Sequence, residues 1–404
     1  MKILHINGFD HAGGAEQFAY DFIHSGSFDA SLLVNMKSSD SHKVFEFPKT
    51  SIDRFLFFTD KVLYKLGIKK RFKQLFSISD ALNLTYHKLK NLPVYRDADI
   101  IHLHNIHGGY FDLNALSKIA AEKPIVWSLH DMWAITGGEA HTFGNKNYTL
   151  GIGKTPYRNI YPLNNPVVDL RQQYMEKKKK IYRNIAGKTV WVPASHWLEK
   201  CVRESYVYNQ NMRINTIQYG INLTVFKNDN QRNWNVPRIL FFNSESSFKG
   251  SELFLENISR IEKKFELYVI GKKIKFPVDA KVTYFDFIKD RQALSSVFNS
   301  TDILVFPSKA DTFPFTVLEA MACGVCVVAG NVGGITEQLE NDDGILFENQ
   351  NATDLLDKLN FCLADLEHAR SIGKKASMKA VKNYNALDMY QKYASIYRSL
   401  SGNY

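Results

Sequence analysis

The sequence has few of the residues that would place it in a specialised class of protein. Four cysteines in 404 residues are too few for a disulfide framework, and 11 prolines and 23 glycines are too few for a fibrous or low-complexity chain. No apolar run reaches the length of about 18 residues that a transmembrane helix needs. Polar side chains occur too early within residues 1–8 for a signal peptide. We therefore expect a globular protein of the cytoplasm.

Charge is unevenly distributed along the chain. The 51 Lys and Arg residues exceed the 41 Asp and Glu residues by ten, and residues 43–91 alone carry eleven basic against four acidic side chains. Such an excess favours an anionic partner. Residues 54–73 interleave apolar and basic side chains as a helix at an anionic membrane surface does, although a helix packed on its own domain explains them equally well. No recognisable nucleic-acid module accompanies them, so we expect no nucleic acid as a partner.

Short apolar, β-branched runs alternate with helix-compatible segments along the whole chain. This pattern predicts an α/β protein with doubly wound parallel sheets, whose strands are buried on both faces. The predicted strands of the first half are residues 3–6, 31–34, 100–104, 124–130, 189–193 and 215–219. Those of the second half are residues 239–243, 266–271, 282–287, 303–307, 325–329 and 345–347.

A polar stretch without periodicity, residues 227–233, divides the two halves and places a hinge near residues 225–237. We predict a domain at residues 1–225 and a second at residues 237–385, each Rossmann-like, facing each other across a cleft. Residues 386–400 have the apolar spacing of an amphipathic helix. Ligands of such sheets bind beyond the carboxyl ends of the strands.

The strongest motif is residues 306–324, where a strand, a short loop and a helix follow one another. The free amides of Phe315, Thr316 and Val317 would point out of the helix N-terminus, which suits a phosphate. Asp311 lies in the loop and Glu319 lies one to two turns into the helix. Two carboxylates that flank an anion site suit a ligand with hydroxyl groups on both sides of a phosphate, such as a sugar nucleotide.

This string resembles the acid-x7-acid signature of retaining glycosyltransferases of the GT-B fold, family 4, with Asp311 in place of the usual Glu. The resemblance implies that Asp311 lies by the donor sugar and that Glu319 holds the ribose hydroxyls. It also implies that a helix at residues 386–404 returns to complete the first domain. Residues 330–337 are similar to the family's Gly-Gly-x-x-Glu loop.

Two motifs of the first half resemble further parts of that family. Gly13 and Gly14 follow the first predicted strand and open a helix, like the family's glycine loop beneath the donor phosphates, although a plain strand-to-helix turn would also explain them. His130 matches a donor-sugar contact, with a buried structural histidine as the alternative. Asp131 is a candidate to receive the acceptor's proton, and His104 is a further acceptor-side candidate. We expect no metal.

The diphosphate site departs from the family pattern. Lys249 matches the family's lysine, whereas Ser244 stands where the family has an arginine. Lys309, two residues before Asp311, is a candidate to replace the missing charge. Residues 244–250 therefore predict a donor site with one cation fewer than the family usually has.

The resemblance implies a retaining glycosyltransferase of bacterial surface polysaccharide synthesis. It would move a hexose-type sugar from a UDP- or GDP-linked donor to a saccharide or polyprenyl-diphosphate-linked acceptor, without a cofactor, in the cytoplasm or on the inner face of the cytoplasmic membrane. Two alternatives stay open: a catalytically silent scaffold, which the missing arginine favours, and a sugar-nucleotide epimerase on the same scaffold.

Overall fold

The computed structural model describes residues 1–11, 13–49, 85–153 and 169–402. The predicted membrane-binding stretch at residues 54–73 lies outside this part of the chain. The chain forms two compact units. Unit 1 comprises Met1–Ile217 and Lys392–Tyr404, and unit 2 comprises Gln218–Gln391.

Unit 1 is built on a seven-stranded, all-parallel sheet in the order β3-β2-β1-β4-β5-β6-β7. Its strands are β1 (Lys2–Phe9), β2 (Asp29–Met36), β3 (Val44–Glu46), β4 (Ile100–Leu103), β5 (Ile125–Leu129), β6 (Thr189–Pro193) and β7 (Arg213–Ile214). Every residue of β4, β5 and β6 is buried, as the apolar runs predicted. The strand order reverses between β1 and β4, the switch point at which doubly wound sheets bind their ligands.

Helices connect these strands as crossovers. They are α1 (Gly14–His24), α2 (Thr85–Lys90), α3 (Pro93–Arg96), α4 (Asn114–Glu122), α5 (Arg171–Ile185) and α6 (His196–Glu204). α6 begins where a serine predicts it, because the Ser195 side chain accepts a hydrogen bond from the Leu198 amide at 3.1 Å.

The predicted strand at residues 215–219 is wrong, and a proline explains why. β7 ends at Ile214, although the chain runs on beside β6 and the amides of Asn215 and Ile217 still donate to the carbonyls of Trp191 and Pro193. Pro193 has no N–H to donate in return, so the ladder becomes one-sided. The short edge strand β3 was not predicted, since Val44 is its only buried residue.

Unit 2 is built on a six-stranded, all-parallel sheet in the order β10-β9-β8-β11-β12-β13. Its strands are β8 (Arg238–Asn243), β9 (Glu266–Gly271), β10 (Lys281–Phe285), β11 (Ile303–Phe306), β12 (Cys326–Gly330) and β13 (Ile345–Phe347). All six predicted strands of the second half are confirmed to within two residues at each end. The switch point here lies between β8 and β11.

The helices of the second half follow the same alternation. They are α7 (Ser251–Leu255), α8 (Arg291–Asn299), α9 (Phe315–Ala322), α10 (Ile335–Leu339), α11 (Ala352–Ala364), α12 (Leu366–Asn383) and α13 (Ala386–Ser401). From Lys392 onward α13 belongs to unit 1, where Tyr393 and Tyr397 are buried and bond to Ser128 and His102. Among the described residues, no helix is both long and apolar enough to cross a membrane.

Candidate active site

In unit 2 the predicted residues gather at the sheet's switch point. The loop after β8 carries Ser244 and Lys249, and the loop after β11 carries Asp311. The two loops are joined by a backbone hydrogen bond from the Lys309 amide to the Phe248 carbonyl at 2.8 Å. Parallel topology therefore brings together residues that are about 60 positions apart in the sequence.

Lys249 and Asp311 form an ion pair at this point. The Lys249 ammonium donates to Asp311 Oδ2 at 2.7 Å, and the side chains keep 33% and 13% of their surface exposed. Lys249 ends a 3-10 helix, Ser247–Lys249, and Gly250 follows in the left-handed conformation. A Cβ on Gly250 would lie 2.0 Å from the Pro307 carbonyl oxygen, so this close approach of the two loops requires a glycine.

Ser244 has a structural part in the same loop. Its hydroxyl accepts a hydrogen bond from the Ser246 amide at 3.2 Å, and its own amide donates to Ser251 Oγ. The ammonium of Lys309, the candidate replacement for the missing arginine, contacts Glu252 instead of the Asp311 carboxylate. That Lys309 supplies the missing charge stays a prediction.

The N-terminus of α9 opens beside Asp311. Pro314 is the N-cap, and Phe315, Thr316 and Val317 are the first three helical residues, as the motif predicted. The Tyr219 ring stacks on the Phe315 ring. The ring centres are 4.5 Å apart, and the angle between the ring planes is 1°.

A buried glutamine fixes the start of this helix. Gln338, fully buried on α10, donates from Nε2 to the Pro314 carbonyl at 3.1 Å. Its Oε1 atom has no hydrogen-bond partner within the described parts of the chain. Sequence analysis missed Gln338, because nothing in the local pattern separates a buried amide from a solvated one.

Glu319 is buried on the second turn of α9, and an arginine holds its carboxylate. Only 3% of Glu319 is exposed, and Arg291 Nη2 lies 2.5 Å from Glu319 Oε1. The Arg291 guanidinium also lies over the Phe226 ring, 4.7 Å from its centre. Arg291 was not predicted either. The one local signal is Asp290, whose side chain caps α8 and so places Arg291 at the first helical position.

The structure itself requires a glycine in the Gly-Gly loop after β12, which is also a candidate for a functional role. Gly333 has φ of +59°, and a Cβ there would lie 1.9 Å from the Asp311 carbonyl oxygen. The amide of Gly334 donates to that carbonyl at 3.4 Å. This loop therefore packs directly against the backbone that carries Asp311.

In unit 1 the predicted residues gather at the switch between β1 and β4. Gly13 is the N-cap of α1 and Gly14 is its first residue. Gly13 has an extended backbone, and a Cβ on it would meet only Glu16 Oε2, at 3.0 Å. The backbone conformation therefore does not itself require glycine at position 13. A contact of Gly13 and Gly14 with the donor phosphates stays a prediction.

Asp131 follows β5 and pairs with a histidine that the sequence analysis did not select. Its Oδ2 atom lies 3.1 Å from His107 Nε2, and its Oδ1 atom accepts from the Trp133 amide at 2.8 Å. Burial opposes ionisation of Asp131, but His107 and these hydrogen bonds outweigh it and lower the pKa of the carboxyl group. Burial also raises the pKa of the nearby Glu16, against the opposing effects of His107 and of a hydrogen bond to Asn105.

His130 and His104 are buried next to Asp131 and hydrogen bonded to each other. His104 Nδ1 lies 2.9 Å from His130 Nε2. Burial lowers the pKa of His130 to about 4, although the Asp131 charge acts in the opposite direction. His130 is therefore a neutral imidazole at pH 7. The predicted site residues thus form two groups, each within its own unit.

The chain is similar to known glycosyltransferases. A family profile described as glycosyl transferases group 1 matches residues 236–365. The putative colanic acid biosynthesis glycosyl transferase WcaC of Escherichia coli is 24% identical over 318 residues, which are 74% of this chain and 76% of that protein. The N,N'-diacetylbacillosaminyl-diphospho-undecaprenol alpha-1,3-N-acetylgalactosaminyltransferase of Campylobacter jejuni is 27% identical over 40% of this chain and 44% of that protein.

Solved structures share the fold. HepE of Anabaena, solved in complex with UDP-glucose, superposes with a TM-score of 0.65 at 16% identity and covers 99% of this chain and 100% of that one. The fold prediction is confirmed by the two parallel sheets and by this likeness. Residues 236–365 are therefore a glycosyl transferases group 1 domain, and the chain is a glycosyltransferase of the GT-B fold.

Proposed function

We propose that this glycosyltransferase retains the anomeric configuration and moves a hexose-type sugar from a UDP- or GDP-linked donor to a saccharide or lipid-linked acceptor in surface polysaccharide synthesis. The observation that carries the proposal is the arrangement around the N-terminus of α9. A cation, Lys249, is paired with Asp311 in the loop that leads to this helix, and Glu319 is buried on the second turn of the helix. A sugar nucleotide needs groups of these kinds along its length.

Each part of the donor has a partner in this arrangement. The amides of Phe315, Thr316 and Val317 and the Lys249 ammonium stabilise the negative charge that develops on the leaving diphosphate. Glu319, held in place by Arg291, accepts hydrogen bonds from the ribose hydroxyls. Asp311 lies by the donor sugar. Ser244 contributes a hydroxyl and amides to the loop but no charge.

The transfer is a front-face substitution. The bond between the anomeric carbon and the diphosphate oxygen breaks as the acceptor oxygen bonds to the same face of that carbon. The departing phosphate takes the acceptor's proton, so no covalent nucleophile of the protein is needed. In unit 1, Gly13 and Gly14 are our candidates for the donor phosphates, His130 for the donor sugar and Asp131 for the acceptor side. His104 does not reach an acceptor itself, because its two ring nitrogens bond to His5 and His130.

The names of the relatives support a polysaccharide or lipid-linked acceptor. One relative is named for colanic acid biosynthesis and another for a diphospho-undecaprenol substrate, and a protein of the same fold was solved with UDP-glucose. An acceptor of this kind would be met at the inner face of the cytoplasmic membrane, and the basic residues 54–73 are our candidate contact with an anionic lipid surface.

A thermal-shift panel of UDP, GDP, ADP, CMP and their common sugar conjugates tests the donor assignment. A ligand at about 100 times its dissociation constant adds about 2.7 kcal/mol of stability. That is a shift of a few degrees for a chain of this size. We expect one nucleoside diphosphate and its sugar conjugates to shift the transition. No shift with any of them, with and without vesicles of anionic phospholipid, would contradict the proposal.

A further inference from the structure

Gln338 occupies a position where packing favours an apolar side chain. The buried residues of α10 are Ile335, Gln338 and Leu339, which share one face of the helix at the spacing i, i+3 and i+4. Gln338 itself is completely buried. A polar group buried in this way lowers stability unless it is hydrogen bonded. Packing alone therefore does not explain a glutamine at this position.

The side-chain amide of Gln338 makes one hydrogen bond, to the backbone of the loop before α9. Nε2 donates to the Pro314 carbonyl at 3.1 Å, whereas Oε1 has no partner in the part of the chain that the structure describes. Chemistry fixes which end of the amide faces Pro314, because a carbonyl oxygen only accepts. An apolar side chain of similar size would avoid the cost of the unsatisfied oxygen. The bond to Pro314 is therefore kept although the amide that makes it costs stability.

This bond acts on the peptide unit that carries the first amide of α9. A trans peptide is planar, so the Pro314 C=O and the Phe315 N–H point in opposite directions. Pro314 is the N-cap, and an N-cap carbonyl accepts the first intrahelical hydrogen bond with one lone pair. Gln338 binds the second lone pair. A donor held on this carbonyl therefore fixes the plane that directs the Phe315 N–H out of the helix N-terminus.

The same short segment also holds the beginning of the loop. The Gly334 amide donates to the Asp311 carbonyl at 3.4 Å, and the Gly334 carbonyl accepts from the Gln338 amide at 3.3 Å. Residues 334–338 thus contact the loop at Asp311 and again at Pro314. Both contacts are made to main-chain atoms. They link the backbone of the carboxylate residue to the first turn of α9.

We propose that Gln338 is a positioning residue for the donor diphosphate, because its amide holds the Pro314–Phe315 peptide with the Phe315 N–H directed at the phosphate oxygens. The inference rests on the proposed function, which places a diphosphate at the N-terminus of α9. Gln338 touches neither the donor nor the reacting atoms. The held peptide is a property of the free protein, so it can be measured before any nucleotide is added.

One NMR signal reports on this peptide. The dipeptide Pro-Phe occurs once in the sequence, at residues 314–315, so the full chain labelled with ¹³C′-proline and ¹⁵N-phenylalanine gives a single correlation across a peptide bond. Gln338→Met keeps the length of the side chain and removes the donor. We expect it to move the Pro314 ¹³C′ shift upfield, as the loss of a hydrogen bond to a carbonyl does. An unchanged shift in the folded, nucleotide-free variant would overturn the proposal.

Titration with UDP and with GDP then measures the effect on the diphosphate. In Gln338→Met we expect the Kd of the nucleotide that binds to rise about threefold to tenfold, the effect of about one hydrogen bond. We expect the urea midpoint to stay the same or rise, because the unsatisfied oxygen is removed with the donor. Gln338→Leu is the second apolar variant and is expected to behave alike. Wild-type affinity in a folded Gln338 variant would overturn the proposal.

Ser377→Ala is the matched control at the other end of the same helix. The Ser377 hydroxyl donates to the carbonyl of Ala322, the last residue of α9, at 3.0 Å. We expect this variant to keep the wild-type Pro314 shift and the wild-type Kd. An equal rise of the Kd in Ser377→Ala would indicate general damage to α9 and overturn the proposal.

The titration also separates this inference from the proposed function. If neither nucleotide moves the Phe315 signal of the wild-type protein, the donor assignment at α9 fails and the inference fails with it. If the wild-type protein responds and the Gln338 variants bind equally well, only the inference fails.

Discussion

Arg291 Nη2 lies 2.5 Å from Glu319 Oε1 and joins the first residue of α8 to the second turn of α9. Glu319 is almost completely buried, whereas the Arg291 side chain keeps 38% of its surface exposed. A buried carboxylate is stable only when it is paired or well hydrogen bonded. Arg291 thus stabilises the carboxylate that we propose to bind the ribose, and it points that carboxylate in a fixed direction.

Replacing Arg291 by Leu removes this partner and leaves Glu319 buried without its cation. We expect the free energy of unfolding to fall by about 1–3 kcal/mol, the cost of removing a charged hydrogen-bond partner from a buried group, and the Kd for the donor nucleotide to rise. Chemical denaturation and a nucleotide titration measure the two effects. Arg203→Leu is the control, because Arg203 pairs with Glu199 on an exposed helix face. Equal losses of stability in both variants would show that the pair between Arg291 and Glu319 stabilises the fold no more than an exposed ion pair does.

Glu319→Ala is expected to abolish transfer and keep the fold. The variant loses the proposed hydrogen bonds to the ribose hydroxyls, each worth about 1.5–3 kcal/mol to a charged acceptor. Two such bonds correspond to a loss of about 100-fold or more in kcat/KM. Glu340→Ala, at an exposed position after α10, is the control. Near-normal turnover in Glu319→Ala, measured with the donor found by thermal shift, would remove this assignment.

Lys249→Met is expected to lower kcat by about 100-fold or more, because a single group that stabilises developing charge is often worth that much. Lys249 is paired with Asp311 in the free protein, so donor binding has to share or exchange this contact. The matched control is Lys272→Met, which breaks an exposed ion pair with Glu245, in the Lys249 loop. Similar kinetic losses in both variants would point to general electrostatics instead of a contact with the diphosphate.

Gly333→Ala is expected to displace Asp311 and reduce activity. The left-handed backbone alone costs a side chain about 1–2 kcal/mol. The new Cβ would also overlap the Asp311 carbonyl oxygen, 1.9 Å away. Gly187→Ala is the control, because its Cβ would meet nothing within 4 Å and its φ is not left-handed. A fully active Gly333→Ala protein would show that this loop does not set the position of Asp311.

Most of the fold is predictable because both sheets are parallel and covered on both faces. A run such as Cys326–Gly330, buried at every residue, has no polar alternation and is separated from its neighbours by helical segments. Prediction failed at the sheet edges. Val44–Glu46 buries one residue, and Asn215 lies beside a strand that ends in a proline. Neither feature produces an apolar run.

The candidate site is less predictable, because spacing along the chain reveals only groups on one element. Asp311 and Glu319 are eight positions apart and belong to one loop and helix. Arg291 reaches Glu319 from another helix, and His5 reaches His104 from another strand. The signal for the histidines is the register of the sheet, since His5 is the direct neighbour of His102 on β4. Strand order has to be known before that register can be used.

The buried histidines predict a specific dependence of stability on pH. Burial lowers the pKa of His5 to about 3 and of His130 to about 4, and it also depresses the pKa values of His102 and His104. Below the ordinary pKa of about 6.5, the unfolded chain binds protons that these native rings do not bind. The free energy of unfolding therefore falls as the pH falls, with a slope near pH 5.5 of about 1 kcal/mol per pH unit for each histidine. Asp131 has a lowered pKa and loses its contribution only below about pH 4. Urea unfolding between pH 7.5 and pH 5 measures the slope, and His5→Asn should reduce it by about one proton. Parallel curves for both proteins would mean that His5 binds its proton in the native state over the same pH range as in the unfolded chain.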